Sequence, residues 1–188
     1  MAEQSTDEVE VSCIVNDYVS YQLQLNGYER RSPLRPPSKV NMALRSLGDE
    51  FKTRYHDSFV ETTENLDIQA STAYATFLGV ANELFSEGVT WSRIVALFVF
   101  ASEMALVCQR KNENEMVNEV AQWLTAYITN HLLTWIRDHN GWDGLVNFHE
   151  GHEGSDSPWP PVLKNFVCGV AAGVIGALTV GAILSSKS

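Results

Sequence analysis

The sequence predicts an all-α fold, with about eight helices packed around one buried apolar helix. Three observations predict it. No segment alternates strictly between apolar and polar residues in the manner of a half-buried strand. Several segments instead repeat apolar residues at spacings of three, four and seven, the period of a helix that buries one face. The run from Ile94 to Ala101 is hydrophobic on every face, which suits the centre of a bundle.

Residues 9–25 place Val11, Val15, Tyr18, Gln22 and Leu25 at helical spacing, and Asn26-Gly27 provides a stop. The stretch "ERRSPLRPPSK", 29–39, holds three of the six prolines and four cations and reads as a loop. Ser38 can cap the helix that follows. There Val40, Leu44, Leu47 and Phe51 form one apolar stripe at i, i+4, i+7 and i+11, with Gly48 beside it, Asp49 next and Phe59 continuing the contacts. "NLDIQAS" interrupts the pattern. A helix is expected from about Ala70 to Phe85, a turn at "SEGVT", and the apolar helix from about Trp91 to Gln109. Ser102 and Glu103 make that helix too mixed for a membrane span, so it is assigned to the core. "RKNENE" is a polar turn. Met116, Val120, Trp123, Leu124, Tyr127 and Ile128 mark the next amphipathic helix. A short helix over 131–138 ends at "HNGWDG", another lies near 142–148, and "HEGHEGSDSPWPP" reads as a solvated linker.

The last segment differs in kind. "FVCGVAAGVIGALTVGAIL", residues 166–184, has 19 residues without a charge, flanked by Lys164 and Lys187. As a helix it would span about 28 Å, close to the thickness of a hydrocarbon core. The chain therefore divides into a helical bundle at 1–152, a linker at 153–165 and a transmembrane tail anchor at 166–184. The acidic N-terminus has no apolar core and gives no secretory signal.

Composition narrows the function. A formal net charge of −10 argues against nucleic acid as a partner. Cys13, Cys108 and Cys168 are odd in number and far apart, which fits a reducing compartment rather than a disulfide framework. No glycine-rich phosphate loop and no GxSxG is present. "HEGH" sets His149 and His152 at i, i+3, whereas a zinc-protease helix needs i, i+4. The carboxylates at 113, 115 and 119 read as an exposed helix face. These patterns give no support for catalysis, a cofactor or a metal.

Four blocks, in order, resemble the Bcl-2 apoptosis regulators. "SCIVNDYVSYQLQLNGY", 12–28, is similar to the N-terminal homology region of the pro-survival members. "ALRSLGDEF", 43–51, resembles the death-motif helix, with Leu44, Leu47, Gly48 and Asp49 in place. "ELFSEGVTWSRIVALFVFA", 83–101, and "TWIRDHNGWDGLVNF", 134–148, resemble the first and second homology regions.

The resemblance implies a groove that takes an amphipathic death-motif helix from another family member. Phe51, Arg54, Tyr55 and Phe59 would form one wall, Val80 and Leu84 the floor, and Arg93, Val95, Ala96 and Phe100 the other wall. Arg93 would sit at the rim and meet the ligand's aspartate, for which its planar fork is suited. Thr90 stands where the family usually has Asn, Ser92 where it has Gly, and His149 where Tyr is common. The hydroxymethyl of Ser92 would narrow the ligand set. Trp91 and Trp142 are expected as packing anchors.

The resemblance also implies a non-enzymatic, pro-survival regulator. Its partners would be pro-apoptotic members, including Bax/Bak-like effectors. Its address would be the mitochondrial outer membrane, facing the cytoplasm, with the endoplasmic reticulum as a second location. The alternative within the family is a pore-forming effector, since "ALFVFAS" also reads like those members. A tail-anchored scaffold outside the family is the third reading.

Overall fold

The computed structural model describes residues 2–28, 36–55, 71–151 and Trp159, with side chains from Thr6 onward. Among these residues there are seven α-helices, one short π-helical segment and no strand. Phe59, most of the segment 153–165 and the apolar tail at 166–184 lie outside the described residues.

Helix α1, Ala2–Leu25, begins earlier than its apolar periodicity. Its first turns are polar, and Asp7 is paired with Arg137 from the other end of the chain. Val11, Ile14, Val15, Tyr18 and Val19 enter the core. Gly27, at φ 82°, ends the helix in the left-handed region, which costs glycine little. Helix α2, Lys39–Arg54, starts where Ser38 Oγ accepts the Asn41 amide at 3.2 Å. The predicted stripe is realised in Leu44, Leu47 and Phe51, all buried, with Val40 partly so. Helix α3 spans Ala73–Leu84.

Helix α4, Trp91–Arg110, is the centre. Thr90 adopts extended backbone and its hydroxyl accepts the Arg93 amide at 3.3 Å, capping the helix. Every residue from Trp91 to Cys108 is buried. Length and hydropathy alone would let α4 cross a membrane, but protein covers it on all sides. Helices α1, α2, α3 and α5 all pack on it.

Helix α5, Asn114–Tyr127, runs directly into the π segment Ile128–Leu132 and then α6, Leu133–Asp138. The short helix expected over 131–138 is thus an α-helix only from Leu133. The wider π turn shifts the helical register, and Leu132 and Leu133 are both buried while His131 is exposed. Helix α7, Asp143–Glu150, packs on α2. Trp91 and Trp142 anchor this corner, with ring centroids 6.2 Å apart and Trp135 5.2 Å from Trp91. Gly144 is needed here, because a Cβ would overlap the His139 carbonyl and come within 2.8 Å of the Trp91 ring.

Candidate partner-binding groove

Helices α2 and α3 each pack against α4 but make no extensive contact with each other. Helix α4 is therefore their common support. On that frame the residues assigned to the groove separate into two groups. Arg54 and Thr90 are exposed. Phe51, Tyr55, Val80, Leu84, Ser92, Arg93, Val95, Ala96 and Phe100 are all less than a tenth exposed. The apolar members lie packed in the chain, and Val95 is fully buried.

Arg93 is not an open rim cation. It is 8% exposed. Its Nη2 lies 2.8 Å from Glu87 Oε2, and its Nη1 donates to the Gly88 carbonyl at 2.7 Å. The turn before α4 thus folds back to satisfy the guanidinium. The helix's own partial positive charge at its N-terminus disfavours a cation there, and Glu87 offsets this. The Glu87 side chain is 65% exposed, so it can leave at little cost. Ser92 is buried, with Oγ 3.0 Å from Thr90 Oγ1. Its hydroxyl is turned toward the helix cap rather than outward.

The death-motif helix is folded into the chain's own core. Leu44 and Leu47 are buried, and Gly48 lies so close to α1 that a Cβ would overlap the Tyr18 hydroxyl. Asp49 accepts hydrogen bonds from Tyr21 Oη at 2.5 Å and Gln22 Nε2 at 3.1 Å. Burial and the Asp49 carboxylate push the Tyr21 phenol up to about 12. Burial above all, then Asp49 and Glu103, holds the Tyr18 phenol well above its ordinary range.

A second polar link joins α1, α2 and α4, and the apolar periodicity gave no sign of it. Lys52 Nζ donates to Gln22 Oε1 at 2.9 Å and lies 2.6 Å from Glu103 Oε1 on the central helix. The latter is a charge contact rather than a directed hydrogen bond, since no donor is aligned on that oxygen. Asp17 and Arg45 make a further paired contact, with bonds of 2.7 and 3.0 Å. Tyr21 and Gln22 tie the aspartate of the chain's own motif to α1.

Trp159 lies inside the stretch read as a solvated linker, yet it is buried. Its ring centroid is 5.0 Å from that of Phe51, edge to face, and its Nε1 donates to Glu50 Oε1 at 2.9 Å. Nothing in the local sequence separates this tryptophan from an exposed one, because its partners are more than a hundred positions away. Among the described residues, no group of three or more His, Cys, Asp or Glu converges as a metal site would require.

Comparison with known proteins agrees with this arrangement. Residues 44–142 match the family model described as apoptosis regulator proteins, Bcl-2 family. The chain is 37% identical over 150 residues to Bcl-2-like protein 1 of Gallus gallus, covering 80% of this chain and 66% of that protein. It is 37% identical over 157 residues to apoptosis regulator Bcl-2 of Gallus gallus, covering 82% and 66%. The alignments span about two thirds of the length of these relatives. A solved structure, Trichoplax adhaerens trBcl-2L2 bound to trBak BH3, matches with a TM-score of 0.71 and 35% identity, over 76% of this chain and 98% of that one. Sequence, helix order and the buried central helix together lead to one assignment: the chain belongs to the Bcl-2 family of apoptosis regulators.

Proposed function

We propose that this protein is a pro-survival regulator that binds the amphipathic death-motif helices of pro-apoptotic family members, including Bax/Bak-like effectors, in the groove over α4. It acts by binding and not by catalysis. One observation carries the reading: Arg93 stands at the mouth of the buried helix and is held, among the described residues, by an exposed glutamate and a turn carbonyl. A ligand carboxylate can take the place of Glu87 and keep the guanidinium paired. Support also comes from the Trichoplax relative, whose crystal structure holds a Bak BH3 segment. The pro-survival sense rests on likeness to Bcl-2-like protein 1 and Bcl-2.

The apolar segment 166–184 would anchor the protein in the mitochondrial outer membrane, with the bundle facing the cytoplasm. Liposome dye release tests the function. The protein should suppress release by an activated Bak-type effector and cause none alone. Release by this protein alone, on addition of a death-motif peptide, would instead identify it as an effector.

A further inference from the structure

We propose that the outer face shared by helices α3 and α5 is a docking surface for a zwitterionic lipid headgroup layer, and that it settles on the bilayer that holds the tail. The inference rests on the anchor reading above and adds to it the face that meets the lipid. Asp, Glu, Lys and Arg make up 19% of the chain, yet none of them occurs in 71–82 or in 120–136. These stretches carry most of α3 and the second half of α5. Aromatic rings join the two helices side by side. Tyr74 and Phe77 both meet Trp123, and Phe77 and Phe85 both meet Tyr127, at centroid distances of 5.2–6.2 Å. Tyr74 is nevertheless 51% exposed. Leu78 and Trp123 are partly exposed, and Ala126 is open to solvent. The result is an uncharged, ring-studded surface on a chain of net charge −10.

That chemistry selects the occupant. Taking a charge out of water is costly, and a face that carries none avoids the cost. Tyr and Trp set an apolar ring beside a polar group that stays wet, which suits the headgroup level of a bilayer. A net charge of −10 is repelled by anionic headgroups, so the layer is a zwitterionic one. The tether permits the contact. Trp159 is seated against Phe51, and Phe166 follows it by seven residues. That length reaches at most about 25 Å, against a bundle roughly 40 Å across. The anchor thus holds the bundle at the membrane surface, and the face without charges is the least costly one to bring against it.

The test uses the full 188-residue chain in phosphatidylcholine vesicles, either plain or brominated on the acyl chains near the headgroups. Bromine quenches indole emission on contact. The emission of Trp123, taken as wild type minus Trp123→Phe, should be lower in brominated than in plain vesicles. Leu78→Asp should abolish that loss while the chain still floats with the vesicles. Ala126→Asp, at an exposed position, should do the same and serves if Leu78→Asp fails to fold. Equal emission of Trp123 in the two kinds of vesicle, from a chain that floats, would overturn the docking and leave the anchor standing. Quenching that persists in a folded aspartate variant would also overturn it. Shielding of Trp123 from aqueous iodide without quenching by bromine would assign the face to a second copy of the chain instead. A chain that does not float would contradict the anchor and the docking together.

Discussion

Arg93 and Glu87 face each other across the turn that leads into the central helix, with Nη2 and Oε2 2.8 Å apart. The arginine is nearly buried and the glutamate is mostly in water. A pair this exposed on one side contributes about 0–1 kcal/mol to the fold, so the geometry suits a placeholder. Glu87→Ala should leave the melting temperature within a few degrees of wild type and bind death-motif peptides as well as or better than wild type. Calorimetric titration checks this. A large loss of affinity in a stably folded variant would show that Glu87 holds Arg93 in the binding geometry.

Gly48 gives a stability prediction whose sign opposes helix propensity. In an exposed helix, Gly→Ala is stabilising by roughly 0.5–1 kcal/mol. Here the new methyl group would overlap the buried Tyr18 hydroxyl, and overpacking of this kind costs about 1–3 kcal/mol. Gly48→Ala should therefore lower stability in urea denaturation by about 1–2 kcal/mol net. Equal or greater stability would mean that α1 and α2 can separate freely at this point.

The fold was largely legible because the residues that make it speak locally. Ser38 and Thr90 occur directly before apolar patterns, and both prove to be caps. Leu44, Leu47 and Phe51 share one helical stripe, and Ser102 with Glu103 kept α4 in the core. What was missed depends on partners far apart in sequence or on backbone detail. Asp7 and Arg137 extend α1 beyond its apolar pattern. The π segment changes register by a fraction of a turn, which side-chain spacing does not resolve. Lys52 meets Glu103, and Trp159 meets Phe51, across 51 and 108 positions. Arg93 is a cation at the start of an apolar helix, and Glu87, the acidic residue six positions before it, pairs with it across the turn.

Alkaline pH should loosen the α1–α2 junction. Tyr21 has its phenol raised from 10 to about 12, so the folded state favours the protonated form. That contribution is fully present below about pH 10 and is lost as pH rises through about 12. Urea midpoints measured in steps above pH 9 should fall over this window, and Tyr21→Phe should flatten the decline. A decline of the same steepness in Tyr21→Phe would assign the effect to other groups, with Tyr18 the next to examine.

The segment 166–184 should behave as an integral anchor. Carbonate extraction of membranes carrying the full chain should leave it in the pellet, and a chain ending before Asp156 should be recovered in the supernatant. Release of the full chain by carbonate would contradict the anchor.

The central claim is that Arg93 meets a ligand carboxylate, and a double-mutant cycle tests it most directly. Arg93→Ala in the protein is combined with Asp→Ala in a Bak BH3 peptide, and all four affinities are measured by calorimetry. A hydrogen bond to a charged group contributes about 1.5–3 kcal/mol, so each single change should weaken binding by roughly 10- to 150-fold. The second change should then add little once the first is made, leaving a coupling of about 1.5–3 kcal/mol. If the two losses simply add, Arg93 and the ligand's aspartate do not interact, and the guanidinium belongs only to the Glu87 turn.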